Sequence, residues 1–227
     1  MEQGRLQTLD RGLTVLRLLA ESADGLKIAA LAERLGVHRA IAYRIVNTLA
    51  DHGMVHRLAG GRIVLGSGAL LLGARAEGNL RALARPVVEA LAERAGATAF
   101  LSVAQGEDGV AVLTAEPRDT FLNIHYRVGT RHPLSRGAAG IAILAGRPPQ
   151  DDDPEPVRRA RADGYSLTRG ELQAGAVGVS SPVPLSREAY PTLECSLGVV
   201  ALDGLDIDRA VAAVPAAAAE LAAQLAG

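Results

Sequence analysis

The sequence contains little of several residue types on which common sites depend. It has one cysteine, Cys195, and no tryptophan in 227 residues. A single cysteine excludes an intramolecular disulfide framework and a cysteine-rich zinc site. No apolar run reaches about 18 residues without a charge, and the N-terminal residues lack an apolar signal core, so neither a membrane span nor a secretory signal is expected. We therefore expect a cytoplasmic protein with no membrane partner.

Charge is unevenly distributed along the chain. The formal net charge is −1, which taken alone argues against a nucleic-acid partner. Residues 1–72 carry nine Lys or Arg and six Asp or Glu, a balance of +3, whereas residues 73–227 have a balance of −4. This asymmetry predicts a basic, nucleic-acid-binding module joined to an acidic domain with a different role, although +3 alone is also compatible with chance.

The first seventy residues show helical spacing of apolar residues. Stripes of this kind predict three helices, at 8–22, 28–35 and 41–49. A tight turn at Gly36 separates the second helix from the third, as in a helix-turn-helix. Strand-like runs at 54–58 and 62–65 flank Gly60-Gly61, which is a hairpin signal. The order predicts a winged helix-turn-helix.

The third helix of this module is the candidate recognition helix. Its apolar stripe, which we expect to face the core, consists of Ile41, Ile45, Val46 and Leu49. The other helix face and the wing carry long hydrogen-bond donors suited to phosphates and base edges. The candidate DNA contacts are Lys27, His38, Arg39, Tyr43, Arg44, Asn47, Arg57 and Arg62. A solvated helix face has the same pattern, so the pattern alone leaves both interpretations open.

The remainder of the chain mixes helical and strand-like patterns. Helices are expected at 67–76, 80–94, 137–145, 157–162 and 207–225. Strands are expected at 98–104, 110–115, 121–127, 165–167, 177–183 and 193–202. Pro86 is expected to kink its helix or to begin a new one. Sheet strands with flanking helices predict an α+β layer domain.

Six segments of the sequence resemble those of a known protein family, and they occur in the order that this family has. They are TLDRGLTVLRLLAES, IAALAERLGVHRAIAYRIVNTLADHGMV, GGRIVLG, VGTRHPLSRGAAGIAILA, RARADGYSLTRGE and GVSSPV. Over nearly its whole length the chain resembles IclR-type bacterial transcriptional regulators. The resemblance implies a winged helix-turn-helix at 1–66, a linker helical region at 67–96 that contributes to dimerisation, and a GAF-like mixed α/β effector-binding domain at 97–227. One departure is Ala40, where the family usually has a small hydroxyl residue, so a phosphate contact is expected to be missing.

The resemblance also implies a small-molecule site against the helix that begins near residue 137. Backbone N–H groups at a helix N-terminus favour a carboxylate. The residues implied are Leu134, Gly137, Ala138, Ala139, Thr168, Gly178 and Val199. Because none of the last three is acidic or a thiol, we expect an aromatic or apolar carboxylate as effector. Close helix–sheet packing, which also needs small residues, and a pocket that binds nothing are the alternatives.

No motif in the sequence indicates an enzyme. The run Gly178-Val179-Ser180-Ser181-Pro182 lacks the final glycine of a nucleophile elbow. The only lysine is outside any phosphate-binding loop. The aspartates at 151–153 are expected to be a solvated run, and no catalytic residue, metal or cofactor is expected.

We expect an α+β, DNA-binding transcription regulator controlled by a carboxylic-acid effector. Its expected partner is double-stranded DNA with a pseudo-palindromic operator, which a homodimer or homotetramer would bind at the nucleoid. The alternative is a small-molecule sensor or enzyme of GAF-like fold whose DNA domain is inactive.

Overall fold

The chain divides into two compact units, residues 1–78 and 79–227. The computed structural model describes residues 6–76, 80–118, 126–186, 188, 190–202 and 204–226. Each unit has its own hydrophobic core. No helix in these described ranges is long and apolar enough to cross a membrane.

Helices and a small sheet make up the N-terminal unit. Its helices are α1 (Gln7–Ala20), α2 (Ile28–Arg34), α3 (Arg39–Asp51) and α4 (Ser67–Ala76). Its strands are β1 (Leu26–Lys27), β2 (Val55–Arg57) and β3 (Arg62–Leu65), which pair antiparallel in the order β1-β3-β2. This confirms the predicted winged helix-turn-helix and adds β1, a strand too short to leave a sequence pattern.

The turn of the wing depends on two glycines. Gly60 and Gly61 have φ of 90° and 75°, a conformation that matches the twist of a tight hairpin and that L side chains rarely adopt. The Leu58 N–H donates to the Arg62 carbonyl at 2.8 Å and closes the turn. The resulting register pairs Arg57 with Ile63. Arg57 therefore shares a strand face with buried Val55 and lies towards α3.

The N-terminal core uses a narrower part of α1 and α3 than the apolar stripes predict. The buried members of this core are Val15, Leu19, Leu31, Ile45, Val46, Val55 and Ile63. Ile41 is 40% exposed, so the expectation that it faces the core is wrong, and Leu9 and Leu13 of α1 are 58% and 52% exposed. They line an open groove of about 560 Å³ between α1 and α3. In both α1 and α3, the apolar stripe covers more of the helix surface than the part that packs against the core.

A single sheet organises the C-terminal unit. Its strands are β4 (Thr98–Gln105), β5 (Asp108–Ala115), β6 (Arg131–Pro133), β7 (Ser166–Arg169), β8 (Ala176–Pro182) and β9 (Cys195–Leu202). In the described residues they form a six-stranded antiparallel sheet in the order β6-β5-β4-β9-β8-β7. The helices are α5 (Leu80–Ala95), α6 (Gly137–Ala145), α7 (Glu155–Asp163) and α8 (Ile207–Ala226). The α+β prediction is confirmed.

The two faces of this sheet differ in what they pack against. Alternate residues Leu101, Leu197 and Val199 join the large core formed with α5 and α8. The other face is covered by α6, which contacts β7, β8 and β9. Burial raises the pKa of the Cys195 thiol to about 12. A thiol that stays protonated inside a core has a packing role and is not reactive.

Three local expectations differ from the structure or fall outside it. Helix α5 continues through Pro86, which is exposed, so no new helix begins at the proline. Strand β6 was not predicted, because three residues that end in a proline carry no alternation to detect. Of the strand predicted at 121–127, residues 121–125 lie outside the described residues, and Tyr126 and Arg127 are not in a strand.

Gly140 allows α6 to approach the segment that precedes it. A Cβ at Gly140 would lie 2.5 Å from the Leu134 carbonyl oxygen and 2.7 Å from its Cα. Helical Gly→Ala substitutions ordinarily stabilise a protein by about 0.5–1 kcal/mol. We expect Gly140→Ala to lower the free energy of unfolding by about 1–3 kcal/mol instead, since backbone atoms must shift.

Gly12 in α1 provides the matched control for this substitution. A Cβ at Gly12 meets nothing within 4 Å, so Gly12→Ala is expected to stabilise by about 0.5–1 kcal/mol. Urea unfolding followed by circular dichroism measures both variants. A neutral or stabilising Gly140→Ala would show that α6 does not lie so close to Leu134.

Candidate DNA interface and effector cavity

The start of α3 is fixed by a side-chain cap. His38 precedes the helix, and its Nδ1 accepts from the Ala40 N–H at 3.4 Å. This bond satisfies one of the free amides at the helix end. Arg39, Tyr43 and Arg44 are exposed on the helix that follows. His38 therefore has a structural role in addition to the predicted DNA contact, and Ala40 presents no hydroxyl.

The wing and α3 are joined by one cluster of three predicted contact residues. The Arg57 guanidinium donates to Asn47 Oδ1. Its Cζ also lies 4.7 Å from the centre of the Tyr43 ring, within the range of a cation–π contact. Hydrogen bonding and positive charge from Arg57, followed by hydrogen bonding from Asn47, lower the pKa of Tyr43. The three residues were predicted separately, because nothing in their spacing indicates that they touch.

Arg62 connects the wing to the segment in front of α2. Its Nη1 donates to the Gly25 carbonyl at 2.8 Å and lies 3.5 Å from the Asp24 carbonyl oxygen. Lys27 pairs with Arg62 across β1 and β3, and both residues are exposed. The structure thus brings these two cations together at one edge of the small sheet.

A cavity of about 370 Å³ lies in the C-terminal unit, between α6, the sheet and the β7–β8 connection. Apolar and aromatic groups dominate its walls, among them Phe100, Tyr126, Pro133, Leu172 and Val200. Of the predicted effector residues, four line it: Ala138, Ala139, Thr168 and Gly178. Leu134 and Gly137 are buried beside it but are not part of the lining.

Val199 lies on the opposite face of the sheet from this cavity. It pairs with Val179 and Ala99 and is fully buried in the core against α5 and α8. The prediction was off by one residue, and the side-chain period of two in a strand turns one residue into a change of face. Val200 takes the place expected for Val199.

The N-terminus of α6 already holds a carboxylate from the protein. The Gly137 N–H donates to Glu171 Oε2 at 2.8 Å, and the Arg136 guanidinium donates to the Glu171 carbonyl. Leu172 packs on Gly137, where a Cβ would lie 2.5 Å from Leu172 Cδ1. Glu171 also lines the cavity. It occupies the amide that was predicted to bind an effector carboxylate, and its separation of 34 residues from Gly137 hid this contact.

A polar pair lies among the aromatic groups of the cavity. Tyr126 Oη and His132 Nε2 are 2.9 Å apart, and the Tyr126 and Phe100 ring centres are 4.9 Å apart. Burial raises the pKa of Tyr126. Burial lowers the pKa of His132, and hydrogen bonding to the Pro133 backbone and the negative charge of Asp108 partly oppose this shift. Both groups are therefore neutral near pH 7.

The aspartate run shows no sign of a metal site. Asp151 and Asp152 are exposed, and Asp153 Oδ2 accepts from the Gln150 N–H at 2.9 Å and lies 2.9 Å from Arg161 Nη1. Within the described ranges, no group of three or more His, Cys, Asp or Glu is placed to hold a metal ion.

Both parts of the chain match models of one protein family. The IclR helix-turn-helix domain matches residues 8–59. The bacterial transcriptional regulator IclR C-terminal domain matches residues 74–153. Together the two models match more than half of the sequence. The chain belongs to the IclR family.

Individual relatives of this IclR-family chain are regulators. The transcriptional repressor IclR of Escherichia coli is 28% identical over 146 residues, which are 63% of this chain and 53% of the repressor. The chain spans 53% to 56% of the length of the first curated relatives it matches. These relatives are named as regulators and not as enzymes, which agrees with the expectation that the chain is not an enzyme.

Solved structures of the family have the same fold. The IclR regulator of Alicyclobacillus acidocaldarius has a TM-score of 0.78 at 24% identity, covering 99% of this chain and 100% of that chain. An IclR homologue of Microbacterium hydrocarbonoxydans, in complex with 4-hydroxybenzoate, also has a TM-score of 0.78, at 21% identity, covering 96% and 99%.

The buried imidazole of His132 gives a specific pH dependence. Because its pKa is lowered in the folded protein, its stabilising contribution is complete above the unfolded value of 6.5. This contribution is lost as the pH falls through the lower folded value. We expect His132→Gln to lose less stability than wild type between pH 7 and pH 5, in urea unfolding at each pH. His56→Gln removes an exposed imidazole and is the control. If the free energy of unfolding fell equally with pH in wild type and in His132→Gln, the lowered pKa of His132 would be contradicted.

Proposed function

We propose that the protein is a sequence-specific DNA-binding transcription regulator whose affinity for DNA is controlled by a small carboxylic acid. The observation that carries this proposal is the exposed face of α3, which presents Arg39, Tyr43 and Arg44, with Arg57 of the wing bonded onto it. Long donors on a helix of this size suit the major groove, whose base edges and flanking phosphates they can reach.

The DNA surface that we propose extends beyond α3. Lys27 and Arg62 form an exposed cationic pair at the edge of the small sheet, and cations at such positions contact the phosphate backbone. His38 adds an imidazole at the helix start. The weak net charge of residues 1–72 favours binding by a homodimer or homotetramer, in which two such surfaces meet a pseudo-palindromic operator one helical turn apart or a multiple of it. In this assignment 1–66 binds DNA, 67–96 links and 97–227 senses the effector.

Arg44 is the residue that tests DNA binding most simply. It is exposed on α3, and we assign it a phosphate contact. Arg44→Ala is expected to weaken binding to every duplex similarly. It is also expected to reduce the slope of log affinity against log salt concentration by about one phosphate contact per protomer. Mobility-shift titrations over a range of salt concentrations measure both effects. Arg159→Ala removes an exposed positive charge from α7 and serves as control. If Arg44→Ala bound like wild type, the α3 surface would not be the DNA interface.

The effector that fits the cavity best is an acid with an aromatic or apolar body. Phe100, Pro133 and Leu172 supply apolar walls, and the Tyr126–His132 pair supplies a polar end for a ring substituent such as a hydroxyl. The homologue of Microbacterium hydrocarbonoxydans is in complex with 4-hydroxybenzoate, an acid with an aromatic body and a ring hydroxyl. The acid group is assigned to the N-terminus of α6, where backbone N–H groups favour an anion.

The carboxylate of the effector must compete with Glu171 for the N-terminus of α6. Glu171 Oε2 accepts from the Gly137 N–H, and one amide proton cannot satisfy two carboxylates that repel each other. Effector binding would therefore release Glu171, together with Leu172, which covers Gly137. The β7–β8 connection carries both residues and changes its contacts when the acid enters. This change is the signal that we assign to the effector.

Glu171→Gln tests this competition. The amide keeps an acceptor oxygen but loses the charge, and hydrogen bonds to charged groups are stronger by about 1 kcal/mol. The substituted side chain is thus a weaker competitor, and affinity for 4-hydroxybenzoate is expected to rise roughly fivefold in calorimetric titration. Glu220→Gln on α8 is the charge-matched control. Weaker binding to the Glu171→Gln variant would rule out displacement, and binding of only short hydroxy or keto acids would rule out the aromatic effector.

A further inference from the structure

The cluster formed by Tyr43, Asn47 and Arg57 controls which hydrogen-bonding atoms α3 can present. A guanidinium carries only donors, so the Asn47 atom that it contacts is the amide oxygen, Oδ1. Asn47 thereby has one lone pair of its acceptor in use, and its Nδ2 remains a donor group. In an isolated asparagine both the acceptor and the donors are available.

Tyr43 adds a hydroxyl donor to the same cluster. The Arg57 guanidinium lies over its ring, and hydrogen bonding and positive charge from Arg57, with hydrogen bonding from Asn47, lower the pKa of Tyr43. The phenol can donate its own proton, so N–H and O–H donors predominate in the cluster.

We infer that Arg57 sets the base preference of Asn47, so that the cluster reads the acceptor-rich edge of guanine and not adenine. This inference rests on the proposed DNA-binding function. Guanine presents two acceptors in the major groove, N7 and O6. Adenine presents N7 and a donor, and an asparagine recognises it by using its amide oxygen and nitrogen together. The Arg57 guanidinium takes one of the two lone pairs of Oδ1, so the adenine N6–H donor would have to approach Oδ1 beside a positive charge, whereas the guanine O6 acceptor is attracted to that charge.

Recognition of adenine would bring a second donor to Oδ1, beside the Arg57 guanidinium. The adenine N6–H would share this oxygen with a charge-assisted bond, and charge-assisted bonds are stronger than neutral ones. Arg57 is only partly exposed and is stacked on Tyr43, so it is held in place beside Oδ1. Arg57 is thus a positioning residue that acts through Asn47. A merely structural role of Arg57, holding the wing to α3, would leave base preference unchanged when the residue is replaced.

The test is selection of binding sites from a random DNA pool by the full-length protein. Asn47→Ala first identifies the operator position that Asn47 reads, as the position where base preference disappears. At that position we expect guanine for wild type and for Arg57→Lys, which retains a donor. Arg57→Ala frees Oδ1, and the guanine-to-adenine ratio is expected to fall about tenfold. Asn47→Asp keeps the contact with Arg57 but offers no donor, and it is expected to lose the guanine preference even if Arg57→Ala folds poorly.

Arg62→Ala is the matched control, because it removes the same charge from the wing without touching the cluster. It is expected to weaken binding while the base preference at the Asn47 position stays that of wild type. Selection of adenine at this position by wild type, or an unchanged guanine preference in Arg57→Ala, would overturn the inference and leave the proposed function standing. A pool in which wild type enriches no sequence would instead refute the proposed function itself.

Discussion

The period-two alternation of the antiparallel sheet is the constraint on which the C-terminal unit depends. Residues 101, 197 and 199 face an apolar core with α5 and α8, while their neighbours Phe100, Gly198 and Val200 face α6. A Cβ at Gly198 would lie 2.5 Å from the Val179 carbonyl oxygen and 2.7 Å from Phe100 Cζ. Small residues on this face leave room for Phe100 and for the cavity, and a slip of one residue would exchange the two faces.

In the N-terminal unit, a few long-range polar contacts determine what an otherwise ordinary helix surface offers. Apolar packing of Val15, Leu31, Ile45 and Ile63 holds the helices together, but it does not orient the side chains on the outer face. Arg57 and Arg62, on adjacent strands of the wing, bond in different directions, one to α3 and the other to the turn before β1. The wing is therefore tied both to α3 and to the turn before β1.

Much of the secondary structure could be predicted from the sequence, because it depends on local information. Helices α4 and α6 have the predicted bounds, since apolar spacing and flanking glycines are properties of short segments. The pairing of Arg57 with Asn47, the capping of α6 by Glu171 and the burial of Val199 are different in kind. Each depends on which segments meet in space, and a single sequence contains no periodicity that reports it. For the same reason, the exposure of Leu9 and Leu13 could not be distinguished from burial.

We propose that the α3 surface reads DNA sequence. The most direct measurement is the affinity of the full-length protein for a duplex selected from a random pool and for a scrambled duplex of the same composition, at one physiological salt concentration. We expect the selected duplex to bind more tightly by a factor of about 10³ or more. Equal affinities for the two duplexes would contradict the account.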